Sequence, residues 1–583
     1  MRTRYLIASS KDPSFLVALG SRLLASSKSS GLQVAFQNPD VLILSAAPSP
    51  IAVGTGGLLL GSVFRRGSLD TVSTFNRPDQ DAIFATRGAW LLETYWGGYI
   101  CLLTSPAGAD ILRAPFGDLP CYVTRTPDAL LCASDLSLLT AAGAPSPSLD
   151  PPALARQLAA SDIRRGETCL SGISELPGGE RMTIVGGTAT RQAIWSPWSF
   201  AAPERQLADP VEAARRVEDA ARLCVEAQAG EAGHILLKLS GGLDSSIVAA
   251  CLSRSNRPFT CLTLATDDPA GDERGHAALV AQSLEVALVE RFRDVRGVAV
   301  DRSAAARLPR PSARSFAQES ARIAAEVASE FGANAVFDGG GGDNIFCSLQ
   351  SVRPVVDSLS TAAVRGAFLR TSAAVAQLAQ VSLWAVARRA LLSRCSGQIA
   401  YRWPLDMRFL SDTARDAASG ATAHPWLTPP AGALPGKAAH IALLIGAQSV
   451  AEGFDAEEGL PTYSPLISQP LIEVCLRVPS WLWFEDGFNR AVARRAFRDS
   501  LPSATIWRRS KGAPDSFIAD IYDANLPLIR DLLLGGALRR CGLLDIPQLE
   551  AALCATGPVR GHDFLRIMQL ADAEVWARCW FAG

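Results

Sequence analysis

The stretch 234–246, HILLKLSGGLDSS, restricts the possible folds of this chain more than any other. Ile235, Leu236, Leu237 and Leu239 make the short apolar run expected of a buried parallel strand. The run stops at Ser240-Gly241-Gly242, and Asp244-Ser245-Ser246 leads into IVAACL, which predicts a helix. A strand, a tight glycine turn and a helix N-terminus gather several backbone N–H groups around one anion-sized space. The helix dipole adds to their attraction for a phosphate. Two glycines let the backbone approach that phosphate with no Cβ in the way. Asp244 brings a carboxylate to the place where a magnesium ion bridges to phosphate oxygens.

The loop is not a Walker A sequence, because the G-x-x-x-x-G-K-[ST] spacing and its lysine are missing. SGGLDSS instead resembles the pyrophosphate loop of N-type ATP pyrophosphatases, which cleave ATP to AMP and pyrophosphate. Each fixed position of that family's S-G-G-x-D-S-S pattern is present. The resemblance implies ATP and Mg²⁺ as cofactors, held by Ser240, Gly241, Gly242, Leu243, Asp244, Ser245 and Ser246. An ordinary Ser/Gly turn before a helix is the plainer alternative.

A chain of 583 residues exceeds one ordinary core, and length alone suggests about three or four domains. With 48% apolar and 19% charged residues, large cores are easily filled and disorder is not expected. A net charge of −1 argues against a general nucleic-acid or anionic-membrane binder. The thirteen cysteines are scattered without a C-x-x-C pair, as buried apolar residues in a reducing compartment would be. Lys11 and Asp12 cut short the apolar stretch near the N-terminus, so no signal peptide is read there. No apolar run approaches the roughly 20 residues of a membrane helix. The expectation is a cytoplasmic protein without nucleic-acid or membrane partners.

Residues 1–200 read mostly as β, with runs at 41–47, 58–64, 99–105 and 130–134 between turn residues and helices near 13–25 and 152–160. Pro197, Pro203 and Pro210 punctuate a linker, and 211–228 has helical periodicity, which puts a domain boundary close to 205. Beyond it, helices alternate with a few apolar strands, the pattern of a doubly wound α/β domain with helical additions. FTCLTLATDD (259–268) is read as the second strand, ending at Asp267-Asp268, followed by a helix over 271–284. NAVFDGGGGDNIF (334–346) is another strand running into glycines and Asp343. Ligands of such sheets bind outside the carboxyl ends of the strands, so the ends after Leu239, Leu264 and Phe337 should meet at one nucleotide site. Leu264, Asp338, Gly339 and Gly340 thereby join the candidate nucleotide contacts.

Four segments of the first half carry a further resemblance. WGGYICLLTSPAGADILRAPFGDLPCYV (96–123) is similar to the class II glutamine amidotransferase stretch in which a Gly-rich strand precedes an Arg-Asp-x-x-Gly-x-x-Pro-Leu-Tyr turn. LLCASDLSLL (130–139), GETCLSGISELPGGERM (166–182) and IWSPW (194–198) resemble the segments that follow it in order. Since that order continues into SGGLDSS, the chain resembles the asparagine synthetase family over nearly its whole length. The resemblance implies an N-terminal Ntn-hydrolase-like αββα sandwich over 1–204. It implies a doubly wound parallel-sheet ATP-pyrophosphatase domain, adenine nucleotide α-hydrolase-like, over 205–583. Glutamine-hydrolysing members carry Cys after the initiator Met, whose thiol attacks the amide while its own α-amine serves as base. Position 2 here is Arg, and the segments that bind glutamine are not evident, so this domain is expected to be silent towards glutamine. A misassigned start is the alternative, and no cysteine precedes Cys101.

DGGGGDN (338–344) occupies the place of the synthetases' S-G-x-G-x-D-E, with Gly340 and Asn344 at the usual Glu positions. Asp343 matches the Asp that helps hold magnesium and pyrophosphate, which implies a two-carboxylate metal site made with Asp244. IWRRSKGAPDSF (506–517) resembles the family's R-x-K segment, with Arg509 and Lys511 in register. Lys511 would neutralise charge on the adenylate and departing pyrophosphate. The resemblance thus makes Lys511, Asp343 and Asp244 the catalytic candidates. Arg490 is read as structural or substrate-orienting, and one of Glu452, Glu457 and Glu458 as a base for the attacking amine. GGGGDNIF, SPLISQPLIE, RAVARRAF and RRSKG look most like lasso-peptide cyclases. Those enzymes adenylate an Asp or Glu side chain of a leader-free core peptide, and its own N-terminal amine then displaces AMP. A leader peptidase and a leader-recognition protein are the further partners this implies. β-Lactam or carbapenam synthetase, asparagine synthetase and a non-catalytic scaffold are the competing readings.

Overall fold

In the strand Tyr5–Ser9, Tyr5 and Ile7 face one way and Leu6 and Ala8 the other, and all four are buried. A strand apolar on both faces needs cover on both sides. The computed structural model describes residues 3–26, 31–46, 50–266, 268, 271–360, 366–452, 459–509, 515–554 and 563–581, the side chains at 451 and 452 excepted. In it, Tyr5–Ser9 lies within a six-stranded antiparallel sheet, between Leu130–Ala133 and Val41–Ser45. A second six-stranded antiparallel sheet is centred on Gly108–Arg113 and Tyr95–Ser105. The sheets pack face to face through Tyr5, Ile7 and Ile43 of the first and Leu60, Ile100 and Ile111 of the second. Their outer faces share a larger core with helices: Leu6 and Ala8 with Leu16 and Leu19 of Pro13–Leu24, and Leu59 and Leu112 with Leu91 of Ala89–Thr94. The result is four layers, helix, sheet, sheet, helix.

The remainder is built on five parallel strands: β1 (Ile235–Lys238), β2 (Phe259–Ala265), β3 (Leu288–Phe292), β4 (Ala335–Phe337) and β5 (Thr462–Tyr463). Their order is β3-β2-β1-β4-β5, with every neighbouring pair parallel. The chain winds outward from β1 to β3 and then crosses back to β4 on β1's other side. The gap between the ends of β1 and β4 is therefore the topological switch point, where such sheets bind ligands. Helix Ala317–Phe331 covers one face through Ile323, Ala324 and Val327 on Leu236, Leu262 and Val289. On the other face Ile235 and Leu237 join the core of helices Pro210–Ala229 and Leu243–Leu252. The strand read at 259–268 stops at Ala265; Asp268 lies beyond it and Asp267 outside the described residues. Within 334–346 only Ala335–Phe337 is strand, and a short helix Gly342–Ile345 follows the glycines.

Residues on either side of position 205 are joined by buried ionic contacts. Glu175 is fully buried and meets Arg113 at 2.8 Å, Arg164 at 2.7 Å and, from the parallel-sheet half, Arg310 at 2.6 Å. Burial alone would raise its pKa, but the guanidiniums of Arg164, Arg310 and Arg113 outweigh that and hold the carboxyl well below the usual range. Glu473 accepts a hydrogen bond from Trp195 Nε1 (2.9 Å) and pairs with Arg66 (2.7 Å).

Candidate nucleotide site

The loop after β1 closes on itself through serines. Ser245 Oγ accepts from the Ser240 N–H (3.3 Å), lies 3.2 Å from Ser240 Oγ and donates to the Gly242 carbonyl (3.3 Å). Gly241 has φ +66°, and a Cβ there would lie 2.4 Å from the His276 carbonyl carbon, so both conformation and space demand glycine. Helix Leu243–Leu252 then starts at Gly242 with no side-chain cap. Its first-turn N–H groups are left to water or a ligand, the usual arrangement of an anion site. Asp244 and Ser245 lie in that first turn, and Ser246 is fully buried behind it.

The loop after β4 presses against the first. A Cβ on Gly339 would lie 2.5 Å from the Ser245 nitrogen, and one on Gly342 2.5 Å from the Asp244 carboxyl carbon. The glycines of 339–342 are thus where two loops touch. Asp338 shapes its own loop: Oδ1 accepts from the Gly340 N–H (2.9 Å) and from Ser464 Oγ (2.6 Å) at the end of β5. Leu264 sits half-buried near the end of β2 among residues packed on the Ala317–Phe331 layer.

Asp244 and Asp343 are brought together, and a third residue shares their space. Arg490 Nη1 donates to Asp244 Oδ2 (2.9 Å), Asp244 Oδ1 (3.1 Å) and Asp343 Oδ1 (2.6 Å). One nitrogen therefore sits within hydrogen-bond reach of three carboxylate oxygens. Those oxygens converge on a single cationic point, the demand a shared Mg²⁺ would make of them, and Mg²⁺ needs only one or two carboxylates when phosphates complete its shell. The donor set fits the ion. Among the described residues there is no cluster of three or more His, Cys, Asp or Glu able to hold a metal. Sequence reading treated Arg490 as structural or orienting; the structure puts it in direct contact with both metal candidates.

These residues line a cleft of about 560 Å³ to which Arg494, Arg508 and Arg509 also contribute. Burial, then the neighbouring Arg490 charge, lowers the Arg494 pKa to about 10, leaving it protonated at neutral pH. Arg508 pairs with Glu273 (2.9 Å), while its Nε and Nη1 are buried with no hydrogen-bond partner among the described residues. Arg494 and Arg509 stack on the Phe488 ring at 4.9 and 4.7 Å. Four arginines against two aspartates suit a polyanion. Sequence reading missed Arg494 and Arg508. Spacing gave no signal for Arg494, because Arg490 is the left-handed N-cap of helix Ala491–Ala496 and only Arg494 lies within that helix. Arg2, Lys511, Glu457 and Glu458 lie outside the described residues; Glu452 ends helix Pro435–Glu452, and its side chain is not described. Cys101 is fully buried in Tyr95–Ser105, and burial pushes its thiol well above the ordinary value.

The cleft adjoins a larger cavity of about 880 Å³, and Asn344 and Leu443 line both. Asn344 Nδ2 donates to the Leu443 carbonyl (2.7 Å), fixing the residue after Asp343 at the junction. Tyr401, Trp403 and Met407 give the larger cavity an apolar wall.

The asparagine synthase family model matches residues 216–578. No curated protein matches the sequence. Among solved structures, an allosteric regulatory enzyme of purine biosynthesis is 10% identical with a TM-score of 0.21, the match covering 50% of this chain and 80% of that one. Glutamine phosphoribosylpyrophosphate amidotransferase from B. subtilis, complexed with ADP and GMP, is likewise 10% identical with a TM-score of 0.21, covering 52% of this chain and 83% of its own. Likeness at that TM-score carries no inference.

Proposed function

Because the chain belongs to the asparagine synthase family, we propose that it is an ATP-dependent, amide-forming ligase that closes a macrolactam ring within a leader-free ribosomal peptide. Asp244 and Asp343 would hold the Mg²⁺ that accompanies ATP once Arg490 yields the point between them, and the nucleotide would supply the adenylyl group that makes an Asp or Glu side-chain carboxylate reactive. The N–H groups opening helix Leu243–Leu252 and the serine-braced loop before it receive phosphate oxygens. Arg490 and the unpartnered N–H groups of Arg508 offset the charge released as pyrophosphate departs. Lys511 acts at the same stage. The peptide's own N-terminal amine displaces AMP, and tethering amine and carboxylate in one molecule makes that step effectively intramolecular.

The observation that carries the choice of a peptide is the second cavity. Its volume of about 880 Å³ lies near the top of the range of roughly 300–1,000 Å³ for small-molecule pockets, and it meets the nucleotide cleft at Asn344 and Leu443. A small amino diacid would leave most of it empty. A peptide whose amine reaches its own carboxylate needs no glutamine, because it brings its own nitrogen. A leader peptidase and a leader-recognition protein would deliver the freed substrate. The test is exchange of labelled pyrophosphate into ATP with three kinds of acceptor. Exchange driven by linear peptides with a free N-terminal amine and an internal Asp or Glu supports the proposal. Exchange driven only by aspartate favours an asparagine synthetase, and exchange driven only by a small amino diacid a β-lactam-type synthetase.

A further inference from the structure

Seven of the eighteen large apolar side chains exposed among the described residues fall between positions 369 and 405. Trp384, 82% exposed, is the most open of them. The same region is unbalanced in charge: residues 358–405 contain six arginines and no aspartate, glutamate or lysine, in a chain whose net charge is only −1. Helix Leu383–Cys395 concentrates both features. Only Val386 and Ala390 of it are buried. Trp384, Arg388, Leu391 and Cys395 fall at i, i+4, i+7 and i+11, so they form one outward stripe, and all four are exposed. Leu383, Leu392 and Arg394 flank it and are exposed as well. None of Arg388, Arg389 and Arg394 has an acidic partner among the described residues.

We propose that this face seats the protein on an anionic lipid surface, with Trp384, Leu391 and Leu392 entering the headgroup region and Arg388 and Arg394 meeting lipid phosphates. The charge pattern selects the occupant. A second copy of the chain in a two-fold pairing would set these arginines against each other, and like charges across an interface are repulsive. A protein partner would be expected to meet charges of both signs, whereas this stretch offers one sign only. A surface of anionic lipids presents one sign of net charge, accepts protruding indole and leucyl side chains, and leaves long guanidinium stems free to snorkel. The preceding helix Ala367–Ala379 places Gln377 and Leu378 in the nucleotide cleft, so the lipid-facing hairpin also borders the reaction site.

The experiment is flotation of the full-length protein with vesicles of phosphatidylglycerol mixed into phosphatidylcholine, compared with pure phosphatidylcholine, at low and high salt. Binding is expected only with phosphatidylglycerol and should fall as salt screens the arginines. Arg388→Gln and Arg394→Gln should each weaken binding about fivefold, the effect of one basic residue near such a surface. Trp384→Ala should weaken it further at unchanged circular dichroism and thermal unfolding. Equal binding to both vesicle types, or variants that bind like wild type, would overturn the proposal. So would a dimer in sedimentation velocity that Trp384→Ala dissociates. Absence of vesicle binding would also overturn it and leave an acidic protein as the occupant.

Discussion

Arg490 serves as the counter-ion of Asp244 and Asp343, and removing it should make the protein's stability depend on magnesium. The Asp244 and Arg490 side chains are 10% and 12% exposed, whereas that of Asp343 is 44% exposed. Breaking a buried pair by deleting one partner costs about 3–5 kcal/mol, since the remaining charge stays desolvated. The solvent-screened contact to Asp343 adds less than about 1 kcal/mol. Arg490→Ala should therefore cost about 3 kcal/mol. With unfolding entropy of roughly 2 cal/mol/K per residue over the whole chain, that lowers Tm by about 2–3 °C. The assay is scanning calorimetry of both proteins without and with millimolar MgCl₂, no nucleotide being present. Wild type should barely respond, because its cation point is taken by Arg490. The variant should be restored by Mg²⁺ and not by the same ionic strength of NaCl. Arg490→Lys should fall between them, an ammonium being a point charge without the planar fork. A variant as stable as wild type in EDTA, or one that Mg²⁺ does not rescue, would refute the reasoning.

Asp244→Asn and Asp343→Asn should each abolish magnesium-dependent AMP formation with far-ultraviolet circular dichroism unchanged; near-normal turnover by either would dissociate that residue from the metal. Lys511→Ala should lower kcat by roughly a hundredfold with a modest change in KM for ATP, the loss of one group that acts mainly on the transition state, read by steady-state AMP release. Burial raises the Asp357 pKa to about 6 against hydrogen bonds from Ser480 and Gly436. Because its folded pKa exceeds its unfolded value of about 4, the folded state holds the extra proton and stability from this group falls as pH rises from about 4 to 6. Asp357→Asn should flatten the pH dependence of denaturant unfolding in that window.

The local structure of 235–252 was legible because strand, glycine turn and helix start are contiguous, and 240–246 needs no distant partner to be recognised as a turn into a helix. That Asp244 and Asp343 lie together was implied by the family resemblance of DGGGGDN and agrees with the ends of β1 and β4 being neighbours. Arg490 was not legible in the same way. It is 246 positions from Asp244, and FNRAVARRAF, where Arg490 is read as structural or substrate-orienting, names no partner for it. Arg508 was hidden likewise, since its pairing with Glu273 exists only after the sheet has wound. Strand β3, LVERF, alternates too weakly to be seen, being an edge strand with only Val289 buried, and β5 is two residues long. Nothing in LWAVARRALL marks which of its apolar residues are covered, and the fold leaves Trp384 and Leu391 exposed. Periodicity reports which residues share a face, and the tertiary fold decides which face is buried.

The central claim, that ATP cleavage is spent on closing an amide within one peptide, is tested most directly by mass spectrometry of a linear substrate with a free N-terminal amine and an internal Asp or Glu after incubation with ATP and Mg²⁺. The account predicts one AMP for each product lighter by one water, an isopeptide from the N-terminal amine to the side-chain carboxyl in fragmentation spectra, and resistance to N-terminal exopeptidase. AMP formed while the peptide stays linear, or no AMP with any peptide while aspartate and ammonia yield asparagine, would contradict it.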